Sequence, residues 1–219
     1  MNQTSARPKP LKNRNQSIHG LYGITPNLID TAVLLNQTEQ ILTGGAQLIQ
    51  YRNKIADKTL RRHQANLLLR LCRTYATPMI INDHLDLATE IDADGVHVGQ
   101  NDVDITAARK LLGTDKIIGA TCYNRLDLAI QAESKGADYV AFGAFYPTST
   151  KQNTVTAPLD ILVQARKILT IPIIGIGGIN LTNAQTIIKN GADAVAVSYT
   201  LYQAKDIHKT AETFSRFFV

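Results

Sequence analysis

The sequence lacks any apolar run near the roughly 20 residues that a membrane-spanning helix requires. Its N-terminus has no apolar stretch of the kind that marks a secretory signal. The two cysteines, Cys72 and Cys122, lack the CxxC spacing of redox and zinc motifs. These absences argue against a membrane partner and a disulfide framework, so we expect a cytoplasmic protein with two reduced thiols.

The sequence also has little surplus charge outside its first 17 residues, although the formal net charge is +5. Residues 1–17 hold four basic side chains and no acidic one: Arg7, Lys9, Lys12 and Arg14. Subtracting these four from the 23 Lys and Arg leaves 19 basic against 18 acidic side chains. We interpret residues 1–17 as a disordered basic tail and residues 18–219 as one catalytic domain. We expect no nucleic-acid partner, with binding of the tail to RNA as the alternative.

Eight short apolar runs alternate with longer amphipathic segments, a pattern typical of parallel strands buried on both faces. The predicted strands are Gly20–Thr25, Ala46–Tyr51, Pro78–Asn82, Gly95–Val98, Lys116–Ala120, Tyr139–Phe142, Ile173–Ile176 and Ala194–Val197. The longer predicted helices are Asp30–Thr43, Lys58–Tyr75, Leu126–Ser134, Leu159–Leu169 and Leu181–Lys189. A chain of 219 residues suits a single α/β domain of the (β/α)8 TIM-barrel class, and an open doubly wound sheet is the alternative.

Polar residues follow nearly every predicted strand, whereas the turns leading into strands hold mostly Gly, Ala and Pro. In a barrel, the segments after the strands meet at the C-terminal face, where barrel enzymes place their chemistry. The asymmetry between the two ends therefore predicts one functional site at that face. His97, at the end of the fourth strand, is expected to point into or above the barrel.

Basic and hydroxyl side chains in these segments indicate an anion site. The charged residues are Arg52, Lys54 and Lys151, and Thr148 and Thr150 add hydroxyl donors beside Lys151. Gly177-Gly178 follows the seventh strand, where small residues let backbone N–H groups approach a phosphate. The alternative interpretation of the two glycines is a tight turn with no ligand.

Asp83 and Asp102 follow the third and fourth predicted strands, which are neighbours in a barrel. Mg²⁺ prefers a few carboxylates together with substrate phosphates and water, so the pair predicts a magnesium site. Because both precede helical patterns, helix capping is the alternative.

Several motifs in one order resemble the thiamine-phosphate synthase family. They are Gln50-Tyr51-Arg52-x-Lys54, Ile81-Asn82-Asp83-x-x-Asp86-Leu87-Ala88, Asp94-Gly95-Val96-His97-Val98-Gly99-Gln100-x-Asp102, Pro147-Thr148-x-Thr150-Lys151 and Gly175-Ile176-Gly177-Gly178-Ile179. The motifs span residues 50–179, and the strand pattern extends the likeness from about residue 20 to residue 210.

The resemblance implies a transferase that couples hydroxymethylpyrimidine diphosphate to a thiazole phosphate and releases pyrophosphate. It implies Mg²⁺ on Asp83 and Asp102, and catalytic roles for Arg52, Lys54 and Lys151 in stabilising the departing pyrophosphate. The implied positions for the pyrimidine diphosphate are Gln50, Arg52, Lys54, Asn82, Thr121 and Lys151. Those for the thiazole phosphate are Thr148, Thr150, Gly178 and the backbone at Ser198 and Tyr199.

Three positions depart from the family pattern. Asn53 stands where the family usually has Glu, Thr121 where it has Ser, and Ser198-Tyr199 where it has Ile-Ser. Two other functions remain as alternatives: a thiazole tautomerase, disfavoured by the retained motifs and by Tyr123 in place of a histidine, and a non-catalytic sensor of phosphate ligands. The sequence leaves the oligomeric state open, a homo-oligomer included.

Overall fold

The computed structural model describes residues 18–99, 102–148 and 156–219. Within these residues the strands are β1 Gly20–Ile24, β2 Leu48–Tyr51, β3 Met79–Asn82, β4 Gly95–Val98, β5 Ile117–Tyr123, β6 Tyr139–Phe142, β7 Ile173–Ile176 and β8 Ala194–Val197. Neighbouring strands pair in parallel and in chain order, and β8 pairs with β1. The closed barrel confirms the predicted fold and excludes the open doubly wound sheet. The predicted basic tail at residues 1–17 lies outside the described residues.

Helices follow the strands and surround the barrel. They are α1 Thr31–Thr43, α2 Lys58–Thr74, α3 Leu85–Glu90, α4 Ile105–Leu112, α5 Leu126–Ser134, α6 Asp160–Ile168, α7 Ala184–Lys189, α8 Tyr199–Tyr202 and α9 Ile207–Ser215, with a final 3₁₀ turn at Arg216–Phe218. A search of the described helices finds none with the length and apolar character of a bilayer span.

The apolar core has two parts, because the strands are buried on both faces as predicted. Aliphatic side chains such as Leu48, Ile80, Ile117 and Ile174 fill the lower half of the barrel interior. A larger shell, which includes Leu34, Leu68 and Phe214, packs between the strands and the helices. Above this packed interior, a cavity lies at the carboxyl ends of the strands.

Aspartates at the N-terminal face hold neighbouring strands together. The carboxylates of Asp94, Asp138 and Asp193 accept the N–H groups of Met79, Ile118 and Ile173, each the first or second residue of the preceding strand, at 2.7–2.8 Å. Arg109 forms an ion pair with Asp138, and Arg166 forms one with Asp193. The Gly-Ala-Asp unit therefore has a structural role both times it occurs, at residues 136–138 before β6 and at residues 191–193 before β8. The opposite face is left for chemistry.

Two predicted boundaries differ from the structure by three residues, and the others differ by at most two. Helix α7 begins at Ala184 rather than Leu181, because the Asn180 side-chain oxygen accepts the N–H groups of Thr182 at 2.9 Å and Asn183 at 3.2 Å. That side chain folds residues 180–183 into a turn that competes with helix. Strand β5 extends to Tyr123, so Thr121 lies inside the strand rather than after it.

Candidate active site

A cavity of about 810 Å³ opens at the C-terminal face of the barrel. It brings together most of the residues predicted for the site: Gln50, Arg52, Lys54, Asn82, Asp83, Asp102, Thr121, Thr148, Gly178, Ser198 and Tyr199. Thr150 and Lys151 fall in the segment 149–155, which lies outside the described residues. Gln100 and Asn101 also lie outside the described residues. The predicted convergence of distant segments around one mouth is confirmed for the residues that the structure describes.

Asp83 is placed by its backbone. Its φ of +61° is in the left-handed region, which Asp tolerates better than most residues, and its N–H donates to the carbonyl of His97 at 2.9 Å. This conformation directs the chain out of β3 and places the carboxylate at the cavity mouth. There it forms an ion pair with Lys54.

Asp102 lies beside Asp83, close enough for the two carboxyl groups to interact. One Asp102 oxygen accepts the N–H of Gly99 at 2.7 Å, which ties the carboxylate to the end of β4. The capping alternative is wrong for both aspartates. The residue at the N-cap position of α3 is His84, and Asp104 caps α4 through the N–H of Thr106.

Opposing charges set the electrostatics of the mouth. Partial burial raises the pKa of Asp83, but the hydrogen bond and charge of Lys54, together with the Asp102 and His97 contacts, outweigh it and lower the pKa. Burial lowers the pKa of Arg52, and the nearby Asp83 carboxylate opposes that shift. The mouth therefore presents an ionised carboxylate next to two basic side chains.

The donor chemistry of this mouth fits Mg²⁺ and does not fit zinc. Asp83 and Asp102 supply hard carboxylate oxygens, and Mg²⁺ takes one or two such ligands while keeping waters and substrate phosphates. In residues 18–99, 102–148 and 156–219, no three His, Cys, Asp or Glu side chains group as a complete protein cage does. A magnesium ion here would share its coordination with a phosphorylated ligand.

The turn after β7 requires glycine for two reasons. Gly177 and Gly178 have φ values of +98° and +65°. A Cβ at Gly178 would lie 2.4 Å from the carbonyl oxygen of Pro147, and one at Gly177 would lie 2.4 Å from Cβ of Ala144. The turn therefore packs tightly against the segment after β6, which leads toward Thr148.

The segment after β8 is joined to the same turn. Thr200 Oγ1 donates to the carbonyl of Ile179 at 2.9 Å. Ser198 precedes the short helix α8, and the Tyr199 side chain that follows is 63% exposed. Both Ser198 and Tyr199 line the cavity.

The departure at Asn53 has a structural explanation. Asn53 is 4% exposed, and its amide donates to the carbonyl of Leu28 at 2.8 Å and to Gln64 at 3.0 Å. Its oxygen accepts the N–H groups of Ile55 and Ala56 at 3.3 and 3.2 Å. Asn53 therefore fastens the loop between Arg52 and Lys54 to the body of the protein and is not itself a cavity residue.

The cavity floor contains polar residues that sequence reasoning missed or left open. Tyr22 from β1 and His97 from β4 line the cavity, and Tyr139 from β6 contacts both beneath it. The sequence signal for these three residues was their position: each is a polar side chain at an inward-facing position of a parallel strand.

Two other residues near the strand ends take no part in the site. His84 is outside the cavity lining. Burial raises the pKa of the Cys122 thiol to about 12, which disfavours the thiolate form that a nucleophilic cysteine needs.

Comparison with known proteins assigns the family. The model of the thiamine monophosphate synthase family matches residues 21–201. The chain belongs to the thiamine monophosphate synthase family. It is 51% identical over 201 residues to the thiamine-phosphate synthase of Nitrosomonas eutropha, covering 92% of this chain and 95% of that protein. It is 54% identical over 201 residues to that of Methylobacillus flagellatus, covering 92% and 96%.

Solved structures agree with the assignment. The thiamine phosphate pyrophosphorylase from Pyrococcus furiosus superposes with a TM-score of 0.80 at 33% identity, covering 94% of this chain and 96% of that one. A 3-hexulose-6-phosphate synthase superposes with a TM-score of 0.68 at 15% identity, covering 90% and 99%, and shows the fold alone. The expectation of a thiamine-phosphate synthase, and hence of a transferase enzyme, is confirmed.

Proposed function

We propose that the barrel couples 4-amino-2-methyl-5-hydroxymethylpyrimidine diphosphate to hydroxyethylthiazole phosphate, releasing pyrophosphate and forming thiamine phosphate. Membership of the thiamine monophosphate synthase family supports the reaction. The observation that carries the assignment of residues is the sorting of charge within one cavity. Charged side chains occupy its mouth, and uncharged polar side chains occupy its floor.

This sorting matches the two ends of the pyrimidine substrate. The uncharged ring fits the floor, where Gln50 and Thr121 face the cavity, with Asn82 above them. The diphosphate fits the mouth, beside Arg52 and Lys54. Lys151, in the segment that the structure does not describe, is assigned to the same diphosphate from its motif alone.

The proposed first step breaks the bond between the pyrimidine methylene carbon and the diphosphate oxygen. The bonding electron pair leaves with pyrophosphate, and the ring amine donates electrons to the methylene cation that remains. Arg52, Lys54 and Lys151 stabilise the charge that develops on the leaving group. The protein supplies no nucleophile in this step, consistent with the inert thiol of Cys122.

Asp83 and Asp102 are the residues that hold Mg²⁺ in this proposal, and the ion supplies further neutralisation of the pyrophosphate charge. The short link from Asp102 to the N–H of Gly99 keeps one carboxylate in place before a ligand binds. Preorganised ligands of this kind reduce the reorganisation that binding requires.

The thiazole phosphate is assigned to the opposite side of the mouth. Gly178, Thr148, Ser198 and Tyr199 line that side, and Thr150 belongs with them by its motif. The tight packing of the Gly177-Gly178 turn fixes the position of its backbone, so its amides can approach a phosphate closely. Held there, the thiazole nitrogen can attack the methylene cation and form the new carbon–nitrogen bond.

The direct test is a coupling assay with both substrates, with and without Mg²⁺. We expect pyrophosphate release that depends on Mg²⁺ and on the thiazole phosphate. A folded protein that binds both substrates and releases no pyrophosphate would instead be a sensor of phosphate ligands. Conversion of a thiazole phosphate to an isomer without Mg²⁺ would favour the tautomerase alternative.

Two variants test the metal assignment. We expect Asp83→Ala and Asp102→Ala to lose at least about 100-fold in kcat/KM, because even residues that only support a metal ligand commonly contribute about 10–100-fold to metal affinity or activity. The half-saturating Mg²⁺ concentration should rise in both. Asp104→Asn is the matched control, because Asn also caps α4 and the position is two residues from Asp102. An unchanged Mg²⁺ requirement in both alanine variants would rule out these ligands.

A further inference from the structure

The loop after β1, at residues 25–30, holds the loop after β2 at three consecutive residues. They are Arg52, Asn53 and Lys54, and the middle one donates to the carbonyl of Leu28 at 2.8 Å. Arg52 and Lys54 line the cavity, whereas Asn53 is buried on the other side of the chain. The first loop therefore holds the backbone that carries two basic side chains of the mouth.

The contact at Arg52 is made by a single hydroxyl group. The N–H of Arg52 donates to Thr25 Oγ1 at 2.8 Å, and Thr25 Oγ1 donates to the Arg52 carbonyl at 3.0 Å. A backbone N–H can only donate and a backbone carbonyl can only accept, so the direction of both bonds follows from their chemistry. Thr25 is 1% exposed, so water has little access to compete for these bonds.

The sequence explains why a side chain takes this place. The N–H of Thr25 bonds to the carbonyl of Gln50 at 2.9 Å, as in a parallel ladder. The next bond of a regular ladder would join the Arg52 N–H to the Thr25 carbonyl, and the Thr25 hydroxyl takes the place of that carbonyl. The chain then leaves β1 at Pro26, which has no N–H with which to continue the ladder.

Hydrogen bonds at both its N–H and its carbonyl hold the two peptide groups that flank Arg52. Because peptide groups are planar, holding both of them fixes φ and ψ at Arg52 and hence the direction of its Cα–Cβ bond. A related contact holds the other basic residue, since the N–H of Lys54 donates to Asn27 Oδ1 at 2.8 Å. The loop after β1 thus sets the direction in which each side chain leaves the backbone.

We propose that Thr25 is a positioning residue for the diphosphate, because its hydroxyl holds the Arg52 backbone so that the guanidinium enters the cavity before a ligand binds. Asn27 has the same role for Lys54. The proposal rests on the proposed function, in which these two basic side chains bind the diphosphate. A long side chain loses conformational entropy when it is ordered, and charged groups that are already oriented need less reorganisation during the reaction.

The first experiment measures binding of inorganic pyrophosphate to full-length protein by calorimetry at one saturating Mg²⁺ concentration. Thr25→Val keeps the shape of the side chain and removes the hydroxyl. We expect its Kd to rise about tenfold, since displacing a positioned group by about 1 Å can cost about 100-fold. Thr25→Ser keeps the hydroxyl and should bind within about threefold of wild type. Unchanged binding in Thr25→Val, or an equal loss in Thr25→Ser, would overturn the proposal.

Thr38→Val is the matched control, because it makes the same substitution at another buried threonine. The Thr38 hydroxyl donates to the carbonyl of Leu34 at 2.8 Å and contacts Tyr202 Oη at 3.0 Å, in the shell outside the barrel. We expect a lower melting temperature and an unchanged Kd for pyrophosphate. If Thr38→Val weakened binding as much as Thr25→Val, general destabilisation would account for both losses and the proposal would fail.

Asn27→Ala keeps the proposal testable if Thr25→Val does not fold. The Asn27 side chain is exposed, so its removal leaves the core packing intact. We expect the Kd for pyrophosphate to rise about threefold, in line with the loss of one hydrogen bond. Unchanged binding in this variant would remove the positioning role from the loop after β1 as far as Lys54 is concerned.

Steady-state kinetics provide a readout that a merely structural role would not give. In Thr25→Val the KM for the pyrimidine diphosphate should rise about tenfold, while the KM for the thiazole phosphate stays within about twofold. The two values separate because the thiazole phosphate is assigned to the opposite side of the mouth. Equal increases in both KM values would overturn the proposal.

A double-mutant cycle tests whether Thr25 acts through Arg52. In an Arg52→Ala background, Thr25→Val should cause little further loss of kcat/KM, because the side chain that it positions is already absent. A full additional loss in that background would show that the hydroxyl acts by another route, and the proposal would fail.

These experiments separate the proposal from the proposed function. If wild-type protein binds pyrophosphate but releases none from any substrate pair, the coupling function fails, while the calorimetric titration still tests Thr25. If wild-type protein couples the substrates and Thr25→Val matches it in pyrophosphate affinity and in both KM values, the positioning role alone fails.

Discussion

At the scale of single residues, Gly178 shows how one backbone position can control a ligand site. Any side chain there meets both a positive φ and the carbonyl of Pro147. We expect Gly178→Ala to lower stability by more than the roughly 1–2 kcal/mol of an unfavourable left-handed residue. It should also raise the KM for the thiazole phosphate at least tenfold, because the segment after β6 must move. Thermal unfolding and steady-state kinetics measure the two effects.

Gly113 provides the matched control for this prediction. It also has a positive φ, +76°, but a Cβ there would meet nothing within 4 Å. Gly113→Ala should therefore cost only the conformational term and leave both KM values unchanged. Equal losses of stability in the two variants, with normal kinetics, would contradict the role assigned to the contact with Pro147.

The charged residues of the site could be predicted from sequence, as could Gln50 and Thr121, whereas the two tyrosines of the floor could not. Arg52, Asp83 and Asp102 follow recognisable strand ends, so their residue type and place both signal a site. Tyr22 and Tyr139 lie within strands, and an aromatic residue there is equally typical of an apolar core. What distinguishes Tyr139 is Gly119, its partner on the neighbouring strand β5, where a Cβ would collide with the Tyr139 ring; this is a relation in space rather than along the chain.

At the scale of elements, the loop after β2 depends on Asn53. Asn53→Asp keeps the shape of the side chain but removes the N–H groups that reach Leu28 and Gln64. We expect a loss of about 1–3 kcal/mol in unfolding free energy, since buried acceptors lose their donors. The KM for the pyrimidine diphosphate should rise, because the loop carries Arg52 and Lys54. Asn66→Asp is the control, because the Asn66 side chain is only partly buried and its amide donates within α2, to the carbonyl of Arg62; it should change neither quantity.

The aspartates before β4 and β6 occupy equivalent places, yet we expect opposite responses to neutralisation. Burial raises the pKa of Asp94 above its usual 3.8, so the fold disfavours its charge. Asp94→Asn should be neutral or stabilising at pH 7, and its advantage should grow as pH rises from about 3.8 through the folded pKa. Asp138→Asn should destabilise by about 1–3 kcal/mol, because Arg109 loses its charged partner.

Denaturant unfolding of both variants between pH 4 and pH 8 tests this contrast. Glu90→Gln is a suitable control, because Glu90 is partly exposed and pairs with Arg62 only at the surface. Parallel stability curves for Asp94→Asn and wild type across this range would show that Asp94 carries no burial penalty.

Element prediction succeeded where burial or periodicity was strong. The apolar runs of β4, β6, β7 and β8 have the predicted bounds because each is buried on both faces. Helix α7 starts late because Asn180 captures the backbone of the next residues, a local competition that periodicity does not register. Helix α8 was not predicted because it is only one turn long, whereas α9 packs on α1 and on Gly44.

At the scale of the whole molecule, the site exists because the barrel closes. Residues as distant as Gln50 and Ser198 line one cavity only when β8 pairs with β1. Sequence predicted this closure from the count and spacing of the strands, and the predicted location of the site followed from it. The roles of Thr150 and Lys151 remain predictions, since both fall in the segment 149–155.

The basic segment at residues 1–17 is predicted to be dispensable for catalysis. The family match begins at residue 21, and the described barrel closes with residues from 18 onward. Removing the segment takes away four of the 23 positive charges and leaves a body with 19 basic and 18 acidic side chains, so long-range attraction of the anionic substrates should weaken only slightly. We expect kcat/KM of the truncated protein within about threefold of the full chain, with a smaller difference at high ionic strength. A loss above tenfold that persists in high salt, with unchanged thermal unfolding, would mean that the segment contributes directly to the site.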